Sequence, residues 1–213
     1  MADPIPQSEL SDLLPIVSAP WVLKEQMEYS GLGTGEVLAA KLAPSRWSAD
    51  VVLAPMVHTQ ARAIQAKLEA LDGPIGNFYF ASCTNSYPAK DPGGVKLGSS
   101  EPKIDLLGAN NKSISVKELS AGYELSGGDM LSIDYGTNPV RRYLGRIVSD
   151  ASASASGFTE VFEIRPHLPA GITANMAVNF LKPAAKVFVV PDSLQVAHSG
   201  RFSTISFSVM QRP

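Results

Sequence analysis

Apolar residues take a helical period only once in this chain. Val57, Ala61, Ile64, Leu68 and Leu71 recur at steps of four, three, four and three, which sets them on one stripe of a helix from near His58 to Leu71. Gln60, Arg62, Gln65, Lys67 and Glu69 fall mostly on the other side. His58 or Thr59 is placed to cap its start, and Gly73 stands where helices commonly end. Elsewhere the chain reads as roughly ten short extended runs broken by Gly and Pro. Parallel strands need a crossover, usually helical, between each pair, so a doubly wound sheet or a β/α barrel is disfavoured.

The clearest strand is Arg46 to Leu53, with Trp47, Ala49, Val51 and Leu53 on one face and Arg46, Ser48, Asp50 and Val52 on the other. Residues 21–29 read as a strand or a short helix, and Gly31, Gly33 and Gly35 then force a turn or loop. Leu71-Asp72-Gly73-Pro74 is a tight corner leading to an aromatic strand, Asn77 to Cys83. Residues 84–102 are rich in Pro and Gly and read as a long loop, a mark of a domain junction or a functional excursion.

Short strands follow at about Ile104–Leu107, Ser113–Val116, Met130–Tyr135, Arg142–Val148, Thr159–Ile164 and Ala177–Phe180, with loops at Asn138-Pro139 and Ser149 to Gly157. Val187–Val190 and Arg201–Met210 close the series; in the latter Ile205, Phe207 and Val209 oppose a polar face of Thr204, Ser206 and Ser208 suited to a sheet edge. Residues 1–20, punctuated by Pro4, Pro6, Pro15 and Pro20, read as an irregular arm that orders only on assembly. The expected fold is mainly β. A lobe of sheet plus single helix, residues 1–83 plus 179–213, carries an inserted small β-barrel, residues 84–178. Ile64 and Leu68 are expected to pack on the sheet face that carries Trp47 and Val51.

At 213 residues and 22.6 kDa the chain is long enough to bury a core without disulfides or metal. Lys plus Arg number 18 and Asp plus Glu 20, a net charge of -2, which argues against binding nucleic acid through its phosphates. Only 18% of residues are charged, against roughly 25% in ordinary soluble proteins, as suits a surface partly hidden in an assembly. Cys83 is the sole cysteine, so no intrachain disulfide or cysteine metal cluster exists; it reads as a small buried residue at a strand end. No basic stretch precedes an apolar run at the amino terminus, and no apolar run spans a membrane, so cytoplasmic synthesis is expected.

Motifs for chemistry are weak. Gly31-Leu32-Gly33-Thr34-Gly35 lacks both the spacing and the strand–helix frame of a nucleotide loop. His58, His167 and His198 are at least 31 residues apart with no ligand-type spacing, and His167, between Pro166 and Leu168, reads as a turn residue. No GxSxG is present. Asp129, Asp134 and Asp150 with Glu160 or Glu163 are candidate paired carboxylates but read as turn and strand-edge acids; Asp129, after Gly127-Gly128, suits a turn bonded to backbone amides. Arg141, Arg142, Arg146 and Arg165 form the one basic concentration, read as a solvated face or ion pairs to Glu160 and Glu163, or as a contact between subunits. Trp21, Tyr29, Tyr87, Tyr123 and Tyr135 are glycan platforms where exposed and core where not. No catalytic, cofactor-binding or metal-ligating residue is assigned and no cofactor is expected.

The run RWSADVVLAPMVHTQARAIQAKLEALDGPIGNFYF is a strand opening with Trp47, a helix, a glycine corner and a Phe-rich strand. The later stretch has a turn at Gly128-Asp129, a strand at Leu131–Ile133, an aromatic-flanked strand at Tyr143–Val148, a small-residue loop at Ala151–Gly157 and a turn at Arg165-Pro166 with Leu168. Over about residues 45–210 this order resembles the distal tail and minor tail proteins of long-tailed bacteriophages and of phage-derived gene transfer agents. The resemblance implies a non-enzymatic virion component, a ring of most often six copies between tail tube and baseplate hub. Its partners would be itself, the tail tube protein and the hub protein, with no direct contact to nucleic acid or membrane. Its place would be the virion tail, after synthesis and assembly in the bacterial host cytoplasm. The alternatives are a receptor- or glycan-binding tail module, or a minor tail hydrolase acting on the host envelope. A hydrolase would show two carboxylates about 5–9 Å apart in a cleft.

Overall fold

A computed structural model describes residues 4–212. In chain order the elements are β1 (Ile16–Ser18), β2 (Trp21–Gly31), β3 (Val37–Leu53), β4 (Met56–Val57), α1 (His58–Glu69), β5 (Phe78–Phe80), β6 (Lys103–Leu107), β7 (Ser113–Lys117), β8 (Glu124–Leu125), β9 (Met130–Tyr135), β10 (Arg141–Ile147), β11 (Ala151–Ser152), β12 (Phe162–Arg165), β13 (Ala185–Val189), β14 (Gln195–Ser199) and β15 (Phe202–Gln211). Their named pairings are antiparallel and form two main sheets. The first runs β1-β3-β15-β13-β5, with β2 on β3 and with β4 and β14 on β15. The second runs β6-β7-β12-β10-β9 and curls into a half-barrel.

The first sheet is built as its alternation requires. Trp47, Ala49, Val51 and Leu53 of β3 are buried beside Ile205, Phe207 and Val209 of β15, and Phe207 stands opposite Val51. The helix lies against β15 and β4 and adds Ala61, Leu68 and the partly buried Ile64 to the same apolar cluster as Trp47 and Val51. It is two residues shorter than its stripe, ending at Glu69 because Asp72 and Gly73 turn into the left-handed region at φ 51° and 60°. Val57, not His58 or Thr59, is the N-cap residue, and no side chain caps the helix. Val57 is exposed on β4 and does not extend the apolar stripe.

Several expectations are corrected. Residues 21–29 are strand throughout. The proline-rich amino-terminal segment is not a free arm: Ile5 is hydrogen-bonded to Asn77 and Tyr79, Leu10 and Leu14 are buried, and β1 pairs with β3. Proline restricts local conformation but does not prevent docking of the apolar residues between prolines. Nor is β15 an edge. It lies between β3 and the pair β13 and β14, because strand pairing uses backbone groups and leaves a polar outer face free to be central. Cys83 is exposed: the aromatic strand stops at Phe80, and the buried place goes to Ser82, whose hydroxyl donates to the Ala19 carbonyl. Residues 177–180 make bridges only, at Ala177 with Lys103 and Asn179 with Ser132. The loop at 149–157 includes β11, which pairs with β8.

The second sheet has its own apolar cluster, centred on Ile104, Ile114, Leu131, Ile133, Ile147, Phe162, Ile164 and Phe180. Strand β10 serves both clusters by alternation. Tyr143 and Ile147 point into the second, while Leu144 joins the first. Arg142 and Arg146 share the face of Leu144, and there they fasten sheet to sheet. Arg146 stacks on the Trp47 ring at 4.8 Å and donates to the Trp21 carbonyl at 2.9 Å, and Trp47 donates its indole N–H to the Leu144 carbonyl at 2.7 Å.

Candidate functional site

Among the candidate carboxylates Glu160 is exposed, and the others are engaged by backbone amides or arginines. Asp129 is buried and accepts from the amides of Ala89 and Ser126, the turn role its position suggested. Asp150 accepts from the Gly127 amide, Asp134 takes a two-pronged bond from Arg142 at 2.5 and 2.6 Å, and Glu163 pairs with Arg165. No group of three metal-ligating side chains occurs among the described residues. No described helix is long and apolar enough to cross a membrane.

Two histidines do meet. His58 and His198 lie edge to face at 5.3 Å, and the Nδ1 of each is within hydrogen-bond reach of the Ser203 hydroxyl, at 2.6 and 2.9 Å. His58 Nε2 donates to the Gly200 carbonyl, so in the neutral ring its Nδ1 accepts from Ser203. Ser203 is 1% exposed, out of reach of a substrate, and the trio ties the β14–β15 turn to the start of α1.

The long loop at 84–102 is organised by Asp91, which sequence reasoning passed over. Its buried carboxylate accepts from the amides of Lys96 and Leu97 and from the Tyr123 hydroxyl. Burial works to raise its pKa, but these bonds outweigh burial and hold it below the usual carboxylate value. Burial also raises the pKa of Tyr123, helped by the neighbouring Asp91 charge. Tyr123 and Trp21 are core residues and serve no glycan; Tyr29 and Tyr87 are exposed.

Two features remain open for contact. The first is the ribbon of β2 and β3. From Trp47 outward no third strand pairs with it, since β15 reaches β3 only at Ser48–Val52 and β1 only at Val52–Leu53. Register shifts between Lys24 and Met27 bend it, and Pro44 sits in the shifted stretch, where no neighbouring strand needs its missing N–H. The stretch Val37 to Pro44 extends about 25 Å. Apart from Lys41 its side chains are apolar yet uncovered, with Leu42 68% and Val37 64% exposed, and Tyr29 on the facing strand is 76% exposed.

The second is a cleft of about 630 Å³ between the root of that ribbon and the second sheet, within the size range of ligand-holding clefts. Lys41 and Arg46 enter it from β3, Arg141 and Arg142 from β10, and His167 from the turn after β12; Leu42, Tyr135 and Leu168 supply apolar wall. No carboxylate side chain lines it among the described residues. Of its cations only Arg142 is ion-paired among the described residues, and Arg142 also stacks on Tyr79 at 4.2 Å. The Nε of Arg46 is buried without a hydrogen-bond partner. Desolvation, then the charges of Lys112, Arg165 and Lys41, press the His167 pKa below its ordinary value, a sign of local positive potential.

The basic concentration at 141–165 is thus neither one solvated face nor one salt-bridge set: Arg146 and Arg142 fasten the sheets, Arg165 holds Glu163, and Arg141 and Arg142 border the cleft. Lys41 and Arg46 were not singled out in the sequence, because only the fold sets them beside Arg141. The uncovered apolar run Val37–Leu42, next to a glycine turn, was the available signal for the ribbon. No protein-family model matches the chain, and no curated protein sequence matches it.

Proposed function

We propose that the protein is a structural subunit that assembles with copies of itself into a closed ring at the distal end of a phage-like tail, between tail tube and baseplate hub. The observation that carries self-association is the bare two-stranded ribbon. An isolated hairpin is marginal in water, and this one leaves Tyr29, Val37, Leu38 and Leu42 uncovered, a state that a neighbouring subunit relieves. The place in a tail and the number six come from the resemblance over residues 45–210. In the same reading the half-barrel is a small barrel, with residues 177–179 bridging its two edge strands β6 and β9. Residues 84–178 form it as an insertion in a lobe made of residues 1–83 and 179–213.

Electron microscopy of particles labelled on this chain, with native mass measurement of the released assembly, tests the proposal. The expected result is a ring of copies around a central channel at the tail tip. A single copy forming a spike, or absence from the particle together with turnover of a glycan or peptide in solution, overturns it.

A further inference from the structure

The ribbon tip and the cleft at its root have opposite chemistry. Residues 25–40 hold Glu25, Glu28 and Glu36 and no basic residue, together with the exposed Met27, Tyr29, Leu32, Val37 and Leu38. The cleft holds Lys41, Arg46, Arg141, Arg142 and His167 with apolar wall and, among the described residues, no acidic side chain. The tip is acidic and apolar, and the cleft is basic and apolar.

From these facts we infer that the acidic ribbon tip of one copy docks in the basic cleft of the next copy. The inference rests on the self-assembly reading and names its contact. Glu36 lies five residues beyond Lys41, ~17 Å along an extended strand, out of reach of its own cleft, and Glu25 and Glu28, nearer the root, form no ion pair with Lys41 or Arg46 among the described residues. Tip and cleft are different surfaces, so each copy offers one of each and the contact is head-to-tail, the kind that closes rings. Docking gives Lys41 and Arg141, which have no ion-pair partner among the described residues, a carboxylate, and it buries Tyr29 and Leu32 against the cleft wall.

The test uses the full chain in three forms: wild type, a tip variant with Glu28→Lys and Glu36→Lys, and a cleft variant with Lys41→Glu and Arg141→Glu. All four positions are exposed, so circular dichroism is expected to be the same for the three. Sedimentation and native mass measurement are expected to show each variant associating at least about tenfold more weakly than wild type. Mixing the variants should restore assembly beyond either variant alone, because the unchanged tip of one meets the unchanged cleft of the other and the two reversed surfaces are again opposite in charge. A chain with all four changes should regain higher assembly. Wild-type association that neither variant weakens overturns the docking contact and leaves the ring reading standing. For a wild-type chain that stays monomeric, the probe is a peptide of residues 26–40 with a cysteine added at each end and closed by their disulfide. It must shift the His167 ring resonances of wild type and raise the His167 pKa, and leave the cleft variant unmoved. No shift overturns the docking contact, whereas a monomeric copy in the particle overturns the ring. A free carboxylate such as citrate that fills the cleft while the peptide does not assigns the cleft to a small anion and overturns the inference.

Discussion

Strand β3 holds two regions that both carry apolar side chains and meet opposite fates. Ser45 to Leu53 is largely buried, and every second side chain from Trp47 onward enters the core. Val37 to Pro44, with two leucines, a valine and three alanines, is almost wholly exposed. Backbone pairing to β2 runs along both. What differs is the third neighbour: β15 and β1 arrive only at the inner half, and the helix joins the same apolar cluster by packing on β15. Apolar composition therefore marks a surface that seeks cover, and the surrounding fold decides whether the cover comes from the same chain.

The inner half is where substitution is most damaging. Trp47→Ala removes a 1%-exposed indole, its bond to Leu144 and the seat of Arg146, and is expected to destabilise by about 3–5 kcal/mol in urea unfolding. A loss under about 1 kcal/mol would erase the contrast between the halves. Leu68→Ala empties a buried site on the helix that covers this half, with an expected loss of about 2–4 kcal/mol by the same measurement.

Asp91 sharpens the comparison from outside the ribbon, since it too holds a long excursion, but by internal bonds. Asp91→Asn replaces an acceptor of several donors with a group that presents N–H to them, at a cost of about 1–3 kcal/mol. The folded-state pKa of Asp91 lies below its unfolded value of about 3.9. Its contribution is therefore complete above that value and is lost as pH falls through the folded pKa, with residues 84–102 becoming open to pepsin. Asp91→Asn should remove that part of the acid dependence; an unchanged acid profile would show that the carboxylate does not hold the loop.

The smallest stability effect belongs to the outer half. Tyr29→Ser with Leu42→Ser is expected to change unfolding free energy by less than about 0.5 kcal/mol, because neither side chain is covered within the chain. The same pair is expected to weaken self-association in sedimentation. A large stability loss with intact association would mean that the ribbon is held by its own chain after all.

Local order was legible in the residues. The helical stripe from Ala61 to Leu68, the alternation from Trp47 to Leu53 and from Ile205 to Val209, the buried pair Phe78 and Phe80 within a strand shorter than expected, and the amide-bonding turn at Asp129 appear where their spacing placed them. These depend on period and turn chemistry, which act over a few residues. The tertiary structure decided the rest. It made β15 central, laid the amino-terminal segment on its own sheet and left the outer half of β3 bare. It also set Trp47 on Leu144 across 97 residues of chain and brought Lys41 beside Arg141. Which backbone edge meets which, and which charges share a cleft, are contacts between segments far apart in the chain. No local spacing encodes them, because an edge, a centre and a bare ribbon all satisfy the same alternation.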